Sequence, residues 1–217
     1  MASTYTPLGV EKMATGENAG TWGTKTNTNL EILEQIAGGY AVQTLNGGGS
    51  GANTTTLSVS DGATGATLAT RVIILGAESP QAITGAKIVT IPLDVENWYL
   101  IKNSTSGAYT VQFKYASGSG DSVTWSTTDK GFKLIYATAN DGTNPDIVDV
   151  LASSSEITLS NNNALKFNDA DNSAAVGFKA PTTVSGAVTW TLPAADATSS
   201  GYALTSNASG TLSWSEA

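Results

Sequence analysis

The chain has 217 residues, of which 40% are hydrophobic and only 13% charged, and it carries a net charge of −8 with neither cysteine nor histidine. The two absences exclude disulfides, thiolate sites, Ser-His-Asp and Cys-His catalysis, and the usual zinc and haem ligation. The acidic balance, with no cluster of Lys or Arg, argues against nucleic acid and anionic membrane surfaces as partners.

An average domain is roughly 25% charged. Here Ser, Thr, Asn and Gly supply the polarity instead, which suits strands and turns on an extracellular or virion surface. The 23 glycines and 6 prolines follow no collagen period and read as turn punctuation. The opening MASTYTPLGVEKM lacks the basic start and apolar core of a secretory signal. No run approaches the ~20 apolar residues of a membrane span. The expectation is synthesis in a cytoplasm, no membrane insertion and no cofactor.

In chain order, residues 1–23 read as irregular, with Gly16, Gly20 and Gly23 around Trp22. A short helix follows. Thr28-Asn29-Leu30-Glu31 fits a capping box. Leu30, Leu33, Ile36 and Ala37 share one face at 3.6 periodicity, and Gly38-Gly39 ends it. A helix of about ten residues is unstable alone in water, so it must pack on its own chain, on symmetry mates or on another protein. Residues 46–51 read as a flexible turn or hinge.

Strands then dominate. TRVIILGA at 70–77 is a continuous apolar run, the pattern of a strand covered on both faces. AKIVTIP and NWYLIKN follow. In AYTVQFKY, Tyr109, Val111, Phe113 and Tyr115 alternate with Thr110, Gln112 and Lys114. DSVTWST, GFKLIYAT and DIVDVL complete the set, joined by Gly-Ser-Gly, Asp-Lys-Gly and Asn-Asp-Gly turns. Closely spaced strands with no helices between them predict a small antiparallel sandwich or jelly roll.

After Leu151 the strands become shorter and poorer in large apolar residues: ALKFND, AAVGFKA, AVTWTLP, YALTSN and TLSWSEA. Such a segment gains little from folding alone. Three chains pooling their strands around one axis is the simplest remedy. The expected fold class is therefore mainly β. Residues 1–45 form an N-terminal attachment segment, a loop plus one short helix. Residues 46–152 form a central antiparallel β-sandwich or jelly-roll-like domain. Residues 153–217 form a small, trimeric C-terminal β module.

Three stretches resemble tailed-bacteriophage virion proteins. TGENAGTWGTKTNTNLEILEQIAGG, residues 15–39, is similar to the N-terminal region of phage structural proteins, marine ones especially. Residues 91–144 resemble a β-domain of phage fibre and tail proteins. Its pattern Tyr-x-x-x-Asn-x-Thr-Ser-Gly falls here on Tyr99, Asn103 and Thr105-Ser106-Gly107, and its closing motif on Asp141-Gly142-Thr143-Asn144. Residues 165–217 resemble a tail-fibre module with Gly-Phe-Lys-Ala-Pro, Thr-Trp-Thr-Leu-Pro and a final Leu-Ser-Trp. The resemblance implies a non-enzymatic, homotrimeric, fibre-like protein that docks on other virion proteins by its N-terminus and lies exposed on the virion. A short tail fibre or fibre adaptor is the leading reading. A capsid decoration or head fibre, and a module binding host-surface glycan, are the alternatives.

Trp22, with Leu30, Leu33 and Ile36, is the candidate docking surface. Packing of Trp22 on its own helix, at Leu30 or Leu33, is an equal alternative. Phe167, Phe178, Trp190 and Trp214 are the candidate trimer-packing residues. Sugar stacking falls to Trp98, Tyr99, Tyr109, Tyr115, Trp125, Trp190 or Trp214, although alternating strand positions favour core. Asn168-Asp169-Ala170-Asp171-Asn172 alternates oxygen ligands but lacks the glycine and bidentate Glu of an EF-hand, so it reads as an Asx-rich turn and no metal is expected. Asp94 with Glu96 and Asp146 with Asp149 are the local carboxylate pairs for glycan hydrolysis. With no histidine and no long repeat of parallel β-helix type, no catalytic residues are expected.

Overall fold

The computed structural model describes residues 2–46, 53–154 and 156–217. The glycine-rich turn expected at 46–51 lies, apart from Asn46, outside the described residues. The chain divides into two compact units, Met1–Ser155 and Glu156–Ala217. Among the described residues the fold is mainly β with one α-helix, as expected.

The first unit opens with a small hairpin, β1 (Thr4–Tyr5) and β2 (Glu11–Lys12). Helix α1 (Trp22–Gly38) follows. It begins well before the expected capping box, so Thr28 and Glu31 lie inside it. The polar stretch from Thr24 to Asn29 has weak helix propensity, and tertiary contacts override it. Asn29 accepts from the Glu11 N–H through Oδ1 (2.8 Å) and donates to the Glu11 carbonyl through Nδ2 (2.9 Å). The Lys25 ammonium faces the Glu11 carboxylate at 3.0 Å. The N-terminal segment of residues 1–45 thus belongs to the first unit, and Leu8 packs against that unit's core.

Two sheets follow. The first has the order β11-β10-β7-β5-β3, built from β3 (Tyr40–Gln43), β5 (Val72–Ala82), β7 (Asn97–Ser106), β10 (Phe132–Ala137) and β11 (Ile147–Asp149). The second has the order β4-β6-β8-β9, built from β4 (Asn53–Thr56), β6 (Lys87–Ile91), β8 (Val111–Tyr115) and β9 (Val123–Trp125). The expectation of an antiparallel sandwich needs correction here. From β3 to β8 the chain alternates between the sheets, and β3, β5 and β7 pair in parallel, as do β4, β6 and β8. Only β9, β10 and β11 close the sheets with antiparallel pairs. Consecutive strands look like hairpins in the sequence because a turn separates them. Between β3 and β8 the next strand instead lies in the facing sheet each time. The passes of this winding differ in length, so no repeat marks them.

One core lies between the sheets. Ile73, Leu75, Tyr99, Ile101 and Ile135 from the first meet Val89, Ile91, Phe113, Val123 and Trp125 from the second. Tyr99 meets Phe113 edge-on at 6.3 Å between ring centroids. Gly76 sits at φ +112° where β5 shifts register against β7, and a Cβ there would lie 2.2 Å from the Ser104 carbonyl oxygen, so only glycine fits.

The second unit contains two hairpins, β12 (Leu165–Asn168) with β13 (Ala175–Phe178), and β14 (Tyr202–Ser206) with β15 (Leu212–Glu216).

Candidate functional site

The polar anchors of α1 decide which of its faces stays open. Lys25 and Asn29 hold Glu11, and Gln35 donates to the Ala66 carbonyl while accepting from the Gly65 N–H. Ile32, between them, is 1% exposed. At about 100° per residue, Trp22, Leu30, Leu33 and Ala37 fall on a different arc of about 80°. Trp22 is 66% exposed, Leu30 58% and Leu33 49%. The sequence reading placed Ile36 on this stripe, but it is half-buried and turns toward Ile32. The inward face carries Ile32 and Ile36 among polar residues, and the Leu30–Leu33 spacing masks it in the sequence.

The stripe runs into a groove of about 640 Å³. Leu33 and Ile36 form one wall, Pro7, Leu8 and Val10 another, and Leu93, Asp94 and Glu96 the third. The Glu11–Lys25 pair stiffens its N-terminal side. The ammonium contact, supported by Asn18 and Ser3, holds the Glu11 carboxyl below the ordinary glutamate range against the opposing cost of burial, and raises Lys25 in return.

The candidate aromatic residues separate by burial. Tyr99, Tyr115 and Trp125 are core, while Trp98, Tyr109 and Trp190 are exposed and Trp214 is half-buried. The Tyr115 hydroxyl donates to the Val95 carbonyl and accepts from the Ala139 N–H, both at 2.8 Å, and burial pushes its pKa up to about 12. Burial raises the Tyr99 phenol too, and its hydroxyl donates to the Leu68 carbonyl.

The motif residues of 91–144 act as staples. The Asn103 side-chain oxygen accepts from the Thr105 N–H and hydroxyl, and its amide donates to the Asp129 carbonyl. Asp141 accepts from the Thr143 N–H, and Asn144 from the Ser119 N–H and hydroxyl.

Three of the four candidate carboxylates make structural contacts, and Asp94 lines the groove. Glu96 accepts from the Tyr136 hydroxyl at 2.7 Å, and Asp146 from the Asp121 N–H at 2.8 Å. Burial works to raise the Asp149 carboxyl, but the Lys133 ammonium at 2.9 Å and the backbone N–H groups of Ala152 and Leu151 together leave the pKa lowered. In the 168–172 turn, Asp169 and Asp171 accept from the Ser173 N–H. Among the described residues no group of three acidic side chains is placed to hold a metal ion. Among them, too, no helix is long and apolar enough to cross a membrane.

In the second unit the cross-strand register puts Leu165 opposite Phe178 and Phe167 opposite Val176, all on one hairpin face. All four are exposed, Phe178 at 76%. The other hairpin aligns Leu204 with Trp214, whose indole N–H donates to the Ala195 carbonyl. Trp190 is 65% exposed. Gly210 is the one buried residue among the described residues of this unit.

Compared with known proteins, the chain matches no family model, no curated protein and no solved structure.

Proposed function

We propose that the chain is a non-enzymatic structural component of a tailed-phage virion, a short homotrimeric tail fibre or fibre adaptor. It docks by its N-terminal region and carries β domains toward the host surface. The observation that carries this reading is the second unit. Its hairpins pair in register, yet among the described residues no large apolar side chain of the unit is buried, and even Trp214 is only half-buried. Surface of that kind is stable in water only when another chain covers it. Copies of the same chain bring matching faces, with Phe167, Phe178, Trp190 and Trp214 pooled around one axis. The open α1 stripe of Trp22, Leu30 and Leu33 supports the docking half of the reading, since its own chain leaves it uncovered. The three sequence resemblances supply the phage context.

Light scattering after size-exclusion chromatography tests the assembly. A mass near three chains is expected, and a single-chain mass at micromolar concentration overturns it. For docking, a Leu30→Ser/Leu33→Ser variant is expected to keep its native mass and fail to join virions. Normal incorporation overturns that role.

A further inference from the structure

The two outer faces of the sandwich differ in kind. On the four-stranded sheet, Thr54, Ile88, Gln112 and Thr124 lie side by side, with Thr56, Thr90 and Lys114 in the next row. That face suits water. On the five-stranded sheet the middle row is Tyr40, Val72, Leu100 and Leu134. Trp98 opposite Tyr136 flanks it on one side, and the row on the other runs Val42, Ile74, Lys102 and Phe132. Tyr40, Val42, Trp98, Phe132 and Tyr136 are all exposed. Parallel strands that are apolar on both faces ordinarily have both faces covered; within the first unit Ile74 on this one is buried, but the aromatic residues around it stay exposed.

We propose that this face is where the first units of neighbouring copies meet around the three-fold axis. The proposal rests on the homotrimer reading above and adds a specific surface to it. Three observations select a second copy as the occupant. Five strands about 4.8 Å apart and three rows of side chains give a patch on the order of 400 Å², the size at which an exposed apolar patch marks an interaction site. Its charges are balanced and already engaged, so copies of a chain at −8 do not repel one another there. Arg71 lies 4.1 Å over the Trp98 ring and donates to Asn97, Glu96 takes the Tyr136 hydroxyl, Glu78 takes the Tyr40 hydroxyl, and Lys102 sits over Phe132. With these groups committed to neighbours on the face and aliphatic residues between the rings, the face suits a hydrophobic protein surface better than sugar hydroxyls. Finally, chains joined through their second units hold their first units at high effective concentration, so a patch too small to associate alone suffices.

A closed three-fold ring needs a heterologous contact. One copy therefore offers the β3 side, with Tyr40, and its neighbour the β10 side, with Phe132. The chain has no cysteine, so a Tyr40→Cys/Phe132→Cys variant reports this contact cleanly. Strands β5 and β7 separate the two positions within one chain, about 14 Å of sheet. That is too far for an intrachain disulfide. Oxidation of the full-length variant is expected to give covalent dimers and trimers on a non-reducing denaturing gel. A Thr54→Cys/Thr124→Cys variant on the polar face is expected to stay single-chain. A native mass of three chains with no interchain disulfide from the first variant overturns the proposed face and leaves the trimer standing. A native mass of one chain overturns the trimer and the face with it.

Discussion

In the first unit Trp125, Tyr99 and Phe113 are fully buried between two sheets, and each indole or phenol hydrogen finds a carbonyl or other partner. In the second, Phe167, Phe178 and Trp190 stand exposed on hairpins that pair just as regularly. Strands thus pair regularly in both units, but among the described residues a buried apolar core forms in only one. Backbone pairing contributes little net stability by itself because water competes for the same groups. The second unit therefore shows paired β-strands without a buried apolar core of their own.

The sharpest way to break this comparison is dilution. Amides of β14 and β15 are expected to lose hydrogen-exchange protection as concentration falls through the assembly range, while those of β7 and β8 stay protected. Equal, concentration-independent protection in both units would mean that the second unit is stable alone. Next in size, Phe113→Ala is expected to cost about 3–5 kcal/mol of first-unit stability in a urea melt. Phe178→Ala leaves that melt unchanged and lowers only the native mass or the second unit's protection. Tyr115→Phe strands the Ala139 N–H and the Val95 carbonyl, a loss of about 1–3 kcal/mol readable as a lower thermal midpoint. The smallest expected effect concerns α1. The Glu11 pKa is lowered in the fold by Lys25, so its contribution is present above the ordinary glutamate range and is lost as pH falls through the lowered value. Amide protection of α1 should weaken over that acid window, and Glu11→Gln should abolish the pH dependence.

Much of the core was legible from alternation. Val111, Phe113 and Tyr115 face inward as the AYTVQFKY pattern requires, and Leu75 and Ile73 do so within the apolar run. The candidate docking residues were legible in part. Leu30 and Leu33 do share an open stripe with Trp22, but the helix starts earlier and turns Ile36 inward. Its true anchors, Asn29 and Lys25, pair with Glu11 from a distant part of the sequence. Polar contacts of that kind leave no periodic trace.

Composition and alternation by themselves determined that the chain is β-rich, that it has no cysteine or histidine chemistry, and that its C-terminal third is poor in core residues. These follow from residue types and a period of two, both of which are local. Only the tertiary structure decided that consecutive strands cross between sheets and pair in parallel. A turn looks the same in sequence whether the next strand lies beside the last one or across the core. It also decided which apolar faces remain open, because exposure depends on what packs from elsewhere in the chain.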